Sequence, residues 1–159
     1  MKIIKKESLI NAFLSAFGGF ICIGFLSYLN ISMDGSIWLI PPFGASMVLV
    51  MAVHESPLAQ PKNLILGHIL SALSGVFVYA LLGQTFYSIG AGVGLAIFIM
   101  LITNTIHPPA GANPIIVILG GKGLSFVFLP VAIGAIIIVV YAIIYNRIIG
   151  KKYPKSLNN

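Results

Sequence analysis

Long runs of apolar residues, with little alternation of polar positions, dominate the hydrophobic pattern of this chain. Four of the runs approach or exceed the roughly 20 residues that a helix needs to cross a bilayer. These long runs cover residues 9–29, 64–82, 89–106 and 124–146. Two further apolar runs, at 37–53 and 107–120, are shorter or broken. The pattern predicts an all-α, polytopic helical membrane protein.

Both shorter runs contain the pattern Pro-Pro-x-Gly-Ala. The two copies are Pro41–Ala45 and Pro108–Ala112. Two successive prolines end a helix, because proline lacks the amide hydrogen and clashes with the preceding turn. The residue before each pair, Ile40 or His107, is driven towards extended geometry. Ser46 and Asn113 follow the motifs and are favourable N-cap residues. We therefore expect two broken segments, each with a short helix that begins inside the membrane.

A shift of 67 positions aligns the two proline motifs and also Gly67 with Gly134. Each half then contains an apolar helix, a broken segment and a second apolar helix. Three crossings per half would invert the second half relative to the first, as in many transporters. We predict two inverted repeats of three plus three crossings, over about residues 9–82 and 89–147. Four full helices with two re-entrant loops is the alternative.

The charges indicate orientation. Nine Lys and Arg residues against three acidic ones give a net charge of +6, and the basic residues flank the apolar runs. They form no aromatic-lined groove, so we expect no nucleic-acid partner. The positive-inside rule favours six crossings, with both termini cytoplasmic and only Lys122 outside. We predict a cytoplasmic segment 1–8, a transmembrane domain 9–147 and a cytoplasmic tail 148–159, in the cell inner (plasma) membrane.

Other kinds of chemistry have no visible motif. The chain contains no nucleotide-binding glycine motif and no arrangement typical of a hydrolase, so we expect no enzyme activity and no cofactor. Its single cysteine, Cys22, lies in the first apolar run and allows no disulfide framework. The first run is too long for a secretory signal, so we interpret it as a retained helix. Nothing in the spacing of the three histidines implies a metal site.

The broken segments are the candidate binding site. Unpaired backbone amides cannot face lipid, and two helix N-termini directed at one another would attract an anion. The residues expected to bind it through amides or polar side chains are Gly44, Ala45, Ser46, Asn104, His107, Gly111, Ala112 and Asn113. The residues expected to hold the breaks open are Pro41, Pro42, Pro108 and Pro109. The alternative is that these are proline kinks that only shape packing.

Three further polar residues are candidates for a gate or a proton relay. His54 and Glu55 are neighbours in the most polar internal stretch, residues 54–63, and the alternative for both is an ordinary solvated loop. His68 shares a helix face with Ser71 at helical spacing. That face either lines a pathway or packs against another helix.

Several stretches resemble the signature of the HPP family of integral membrane proteins. They are Thr105–Ala112, which contains His-Pro-Pro, then Pro42–Ser46, and Glu55–Pro61 followed by Asn63, Gly67 and His68. The resemblance covers about residues 8–147. It implies four membrane-spanning helices, which differs from the six crossings predicted above. It also implies a link to nitrite, because members from chloroplasts and cyanobacteria are implicated in nitrite transport.

We therefore predict a transporter or channel for a small inorganic anion, with nitrite as the first candidate. One alternative is a non-transporting membrane scaffold or subunit. Another is a proton or cation pathway that uses Glu55 and His107. The expected partners are the lipid bilayer and the anion. From the small size of the chain we also expect a homo-oligomer, with a dimer as the first guess.

Overall fold

The computed structural model describes residues 6–155, and this part of the chain is helical without any β-strand. The all-α prediction is therefore confirmed. Residues 1–5 of the predicted N-terminal segment and 156–159 of the predicted tail lie outside the described residues.

Within residues 6–155 the α-helices follow one another in this order: α1 (Lys6–Ser32), α2 (Pro41–Ala52), α3 (Pro61–Leu82), α4 (Phe86–Ile102), α5 (Asn113–Leu119), α6 (Leu124–Phe126) and α7 (Ile133–Ile148). A 3₁₀ turn, Pro57–Ala59, precedes α3, and a 3₁₀ helix, Pro108–Ala112, leads directly into α5. A wide turn, Val127–Ala132, joins α6 to α7. Extended geometry at Leu129 (φ −132°, ψ 120°) interrupts it before Pro130, as expected for a residue that precedes proline.

Three spans in the described part of the chain are long and apolar enough to cross a membrane: Glu7–Ser32, Pro61–Leu82 and Leu124–Ile148. The other apolar helices, Pro41–Ala52, Phe86–Ile102 and Pro108–Leu119, are shorter. Much of α1 is exposed, including the stacked rings of Phe13, Phe17 and Phe20. Such an apolar surface fits a helix that faces lipid.

One end of the bundle, called the tail end below, gathers the first turns of α1, the end of α2 and the residues after α7. The Lys151 ammonium donates to Ser15 Oγ at 3.0 Å and to the Met51 carbonyl at 2.9 Å. The Tyr153 hydroxyl donates to the Ala59 carbonyl at 2.8 Å, close to the start of α3. These contacts hold the C-terminal residues against the loop between α2 and α3.

Further contacts give the direction of the remaining segments. The side-chain amide of Asn63, in the first turn of α3, donates to the Ile106 carbonyl at 2.9 Å, so α4 ends at the tail end. At the opposite end the side-chain amide of Gln84 lies 3.4 Å from the Leu119 carbonyl, where α5 ends. Consecutive segments therefore alternate: α1, α3 and α5 run away from the tail end, whereas α2, α4 and α7 run towards it.

Both short helices begin at their proline pair and not after it. Ile40 (φ −127°, ψ 147°) and His107 (φ −139°, ψ 98°) are extended, as predicted, and a helix starts at the next residue in each case. Proline suits this place because the first N–H groups of a helix have no intrahelical partner. The break therefore lies in the extended residues that precede the prolines.

The prediction that Ser46 and Asn113 cap the short helices is consequently wrong. Ser46 lies inside α2, and its Oγ is 3.1 Å from the Pro42 carbonyl oxygen one turn earlier. Asn113 is the first residue of α5 and makes no capping bond, because the 3₁₀ helix before it already supplies a helical turn. Both side chains are free to point into the core.

Two glycines bring the broken segments close to the long helices. A Cβ atom on Gly67 of α3 would lie 2.8 Å from His107 Cβ and 2.8 Å from the Thr105 carbonyl oxygen. A Cβ atom on Gly134 of α7 would collide with the ring of Phe43. Only glycine permits these approaches. Each long helix therefore packs, through its glycine, on the broken segment of the other half of the chain.

Candidate functional site

Four buried polar side chains meet where the two broken segments approach α3. Ser46, His68, His107 and Asn113 each have no exposed surface, and we call them the central cluster. Ser46 comes from α2, His68 from α3, His107 from the extended residues after α4, and Asn113 from α5. Buried polar groups are costly unless they are hydrogen-bonded, so the contacts within the cluster decide what it can do.

The Ser46 hydroxyl joins the two imidazoles. Its Oγ lies 2.8 Å from Nε2 of His68 and 2.8 Å from Nε2 of His107. The two rings meet edge to face with 4.9 Å between their centroids. The ring of Phe43 contacts His68 from another side, with 5.4 Å between centroids. A single hydroxyl therefore bridges two histidines in an environment that is otherwise apolar on this side.

The tautomer of each histidine follows from the hydrogen-bond partner of its Nδ1 atom. Nδ1 of His107 lies 2.8 Å from the Leu58 carbonyl, which can only accept, so Nδ1 carries the hydrogen and Nε2 is an acceptor. Nδ1 of His68 lies 3.0 Å from the side-chain nitrogen of Asn113, which can only donate, so Nδ1 is an acceptor and Nε2 carries the hydrogen. The two neutral rings are therefore opposite tautomers.

The amide orientation behind this assignment is itself fixed by a backbone group. The Asn113 side-chain nitrogen also donates to the carbonyl of His68 at 2.9 Å. If the amide were turned, its oxygen would face that carbonyl oxygen, and two acceptors would repel one another. The result is a directed chain of hydrogen bonds that runs from Asn113 through His68 and Ser46 to His107 and ends at Leu58.

The hydrogen bonds of the central cluster join side chains to one another and to carbonyl groups, whereas the sequence analysis expected backbone amides at the two helix starts to bind the anion. Pro41 and Pro42 have no N–H, and the N–H of Phe43 already donates to the Ile40 carbonyl at 3.0 Å. In the second segment the N–H of Ala110 donates to the His107 carbonyl at 3.0 Å, in the same arrangement. At each helix start two N–H groups are thus missing and a third is already paired with a carbonyl. Side chains carry the polar groups of this site.

The remaining predicted residues of the broken segments lie outside the cluster. Gly44 is exposed and borders a groove of about 650 Å³ between α1 and α2, and Ala45 borders an apolar depression beside the second proline pair. Gly111 and Ala112 are half-buried in the 3₁₀ helix and at its end. Asn104 is exposed, with a left-handed backbone (φ 52°) that ends α4, a conformation that asparagine tolerates. Asn104 therefore has a role in chain reversal.

Among the predicted gate residues, only His68 belongs to the central cluster. His54 and Glu55 lie in the loop at the tail end, where Glu55 is exposed. Burial, and then the nearby Lys151 ammonium, lower the pKa of His54, against a smaller opposite effect of Glu55. Burial also lowers the pKa of Lys151. Between residues 6 and 155, no group of three His, Cys, Asp or Glu side chains converges as a metal site would require.

Two further groups belong to the polar network: the Ser71 hydroxyl, which the sequence placed on the helix face of His68, and the Leu58 carbonyl, which the sequence did not indicate. Ser71 Oγ donates to the Ala110 carbonyl at 2.6 Å and ties α3 to the second broken segment. The Leu58 carbonyl, which fixes the tautomer of His107, belongs to the turn before α3. Helical spacing from His68 already indicated Ser71. No side-chain pattern could have indicated Leu58, because its contribution comes from the backbone.

An all-helical chain with several apolar helices around a buried polar cluster is an integral membrane protein. Comparison with known families then identifies it further: residues 4–154 match the transmembrane region of the HPP family. The chain belongs to this family, as its His-Pro-Pro motif had indicated.

Two transmembrane proteins of Dictyostelium discoideum are similar to this chain. One is 38% identical over 152 residues, which cover 90% of this chain and 49% of the relative. The other is 36% identical over 151 residues, which cover 89% of this chain and 53% of the relative. The chain thus spans about half the length of these curated relatives. No solved structure matches it.

Proposed function

We propose that this protein transports a small inorganic anion across the membrane, with nitrite as the first substrate to test, and that the central cluster is its binding site. The observation that carries the proposal is the Ser46 hydroxyl held between two buried imidazoles. Ionisable side chains within membrane helices are costly and mark transport pathways and proton relays by default. Packing alone would be served better by apolar residues at these positions.

The chemistry of the cluster suits a small, singly charged guest. His68, Ser46 and Asn113 supply N–H and O–H groups, and no carboxylate among residues 6–155 is bonded to them. Hydrogen bonds to a charged acceptor are about twice as strong as those between neutral groups. The cluster is sealed in this conformation, so transport requires the segment that carries His107 to move from α3.

We further propose that the two halves form inverted repeats that cross the membrane six times. The alternating direction of the segments supports this arrangement. So do the element bounds, because the 67-residue shift that aligns the proline motifs lays Pro41–Ala52 on residues 108–119. The extended residues and the short helix of each broken segment together are long enough to cross, at about 3.3 Å and 1.5 Å per residue respectively.

Nitrite flux into proteoliposomes that contain the full chain tests the proposal. Wild-type protein is expected to transport nitrite, while Ser46→Ala and Asn113→Leu are expected to lose most of the flux, because each removes a polar group of the cluster. Ser74→Ala is the matched control, since Ser74 is a buried serine of α3 that bonds only to the Leu70 carbonyl within its own helix. Its flux should match wild type.

Thermal denaturation in detergent shows whether each variant is folded before its flux is measured. Folded cluster variants with undiminished flux would remove the assigned site. A wild-type protein that transports no small anion, and that co-purifies with a stoichiometric partner, would favour the scaffold alternative instead.

A proton pathway is the second candidate, because the cluster forms an unbroken chain of hydrogen bonds. This series of hydrogen bonds ends at the Leu58 carbonyl, in the same loop as Glu55. A proton current through the wild-type protein without any permeant anion, abolished by His107→Asn, would select this function over anion transport.

We also propose that both termini are cytoplasmic, that the protein lies in the inner (plasma) membrane, and that it forms a homo-oligomer. The contact of Lys151 with Ser15 at one end of the bundle supports termini on the same side. Single cysteines are introduced at position 155 or at Gln84 of a Cys22→Ser variant, and their labelling with a membrane-impermeant reagent on intact cells tests the orientation. Only the cysteine at position 84 should react.

A further inference from the structure

We infer that the central cluster takes up one proton with each anion, and that Nε2 of His107 is the atom that receives it. This inference rests on the proposed function and adds the coupling that the function would require. An uncompensated anion is strongly disfavoured in a low-dielectric interior, because it loses its hydration there. A proton taken up at the same site would offset that cost by making the loaded site neutral.

Each neutral imidazole of the cluster has one ring nitrogen without a hydrogen, and of these two only Nε2 of His107 can accept a proton. The lone pair of the other, Nδ1 of His68, faces the Asn113 amide, whose orientation the His68 carbonyl fixes. The lone pair of His107 Nε2 faces only the Ser46 hydroxyl, at 2.8 Å. That hydroxyl has a second acceptor within reach, the Pro42 carbonyl at 3.1 Å. Its hydrogen can therefore turn from His107 to Pro42.

The protonated state fits the same positions of the heavy atoms. The lone pair of His107 Nε2 forms a new N–H bond with a proton released by hydronium or by a weak acid, which leaves water or the conjugate anion. Ser46 Oγ then accepts from Nε2 of both histidines and donates to Pro42, which uses both lone pairs and the hydrogen of the hydroxyl. The hydrogen bond from His107 Nδ1 to the Leu58 carbonyl is unchanged. Ser46 thus acts as a switch between the two states.

The cluster has room for one proton and not for two. A second proton would have to bind Nδ1 of His68, where it would face the N–H groups of Asn113. It would also place two cations in rings whose centroids are 4.9 Å apart, which like charges disfavour. The groups that contact the rings are Phe43 and Ser46 from α2, the Leu58 carbonyl, and Asn113 from α5. None of these is a carboxylate or a cation.

His107 and Ser74 supply the variant and its control. In His107→Asn, the shorter amide can still donate to the Leu58 carbonyl but offers no site for a proton. Ser74→Ala removes a hydroxyl that bonds only to the Leu70 carbonyl within α3, outside the cluster. We therefore expect Ser74→Ala to keep the proton-to-anion ratio of wild type and His107→Asn to lose it. The readout is the ratio, so a change in rate alone does not affect the comparison.

The experiment measures nitrite uptake and internal pH together in proteoliposomes. Wild type and Ser74→Ala should take up one proton for each nitrite, and His107→Asn should take up nitrite without protons. Unaltered proton uptake by folded His107→Asn would overturn the inference. Wild-type nitrite flux without any protons would overturn it while leaving the proposed function intact, and an absence of nitrite flux would overturn both.

Nitrogen-15 NMR of the histidines provides a test that does not depend on transport. The chain contains three histidines, so His54→Gln leaves only the pair of the cluster. At neutral pH the spectrum should show one ring protonated at Nε2 and one at Nδ1. On acidification one imidazolium should form first, and Ser46→Ala should change the pH at which it forms. Two rings with the same tautomer would contradict the inference.

Discussion

The two broken segments share a motif but use it differently. In the first, the proline pair opens a regular α-helix, and Ser46 projects from its middle into the cluster. In the second, the prolines open a 3₁₀ helix, and Asn113 begins the α-helix that follows. The 67-residue shift aligns Ser46 with Asn113, and both contact the ring of His68, one at each nitrogen.

The difference assigns different roles to the two positions that the shift aligns. A hydroxyl both donates and accepts, so Ser46 can bridge two rings and change its partner. The side-chain nitrogen of Asn113 only donates, and it holds His68 in one tautomer. The site is therefore asymmetric under the 67-residue shift, since each half contributes one histidine at a position that is apolar in the other half: Ala135 aligns with His68, and Ile40 with His107.

The largest expected effect comes from filling the glycine contacts that hold each broken segment. Gly67→Val would press its side chain against His107 and the Thr105 carbonyl, and overpacking of this kind typically costs about 1–3 kcal/mol or more. Gly134→Val should do the same at Phe43. Gly24→Val is the control, because a Cβ atom there meets nothing within 4 Å. Thermal denaturation in detergent measures the three variants, and equal stability of all three would refute the packing account.

A smaller loss is expected when Asn113 can no longer donate. Asn113→Leu keeps a similar volume but leaves the His68 carbonyl and Nδ1 without their donor, which should lower the free energy of unfolding by about 1–3 kcal/mol. Ser74→Ala, which removes a hydroxyl bonded only within α3, is again the control. The assignment of Asn113 would be wrong if the two variants melted at the same temperature.

Ser71→Ala should weaken the second broken segment but not the first. It removes the bond from Ser71 Oγ to the Ala110 carbonyl, and one such bond contributes about 1 kcal/mol. Hydrogen exchange is the suitable measurement, because it reports on each segment separately. We expect faster exchange in the second segment and unchanged exchange in α2; equal acceleration in both would contradict a local role.

The smallest expected effect is the contribution of His54 to the pH dependence of stability. Burial and Lys151 lower the pKa of His54 in the folded chain, so between its ordinary pKa and the lowered one the unfolded state binds more protons. Stability should therefore fall as the pH drops below the ordinary histidine value. His54→Gln should remove only the contribution of His54 to the loss of stability in acid. A melting-temperature profile that His54→Gln leaves unchanged from neutral pH to about pH 5 would refute the contribution.

Much of the architecture could be predicted from local patterns. The long apolar runs, the breaks at the two proline pairs and the extended residues before them follow from transfer energies and from the sterics of proline, which act over a few residues. The residue at which the helix after each break begins could not be predicted. Proline ends one helix and begins the next, and only the backbone shows that the helix starts at Pro41 and Pro108 themselves.

The sequence by itself determined that this is a helical membrane protein with two proline-broken segments, because hydrophobicity and missing amide hydrogens are properties of the residues. We could propose Ser46, His107 and Asn113 as site residues because they are polar residues next to the proline motifs. Only the tertiary structure decided that they meet His68, which tautomer each imidazole adopts, and that side chains supply the hydrogen-bond donors of the cluster. Those features depend on contacts between residues 22 to 61 positions apart, and no local pattern encodes such distances.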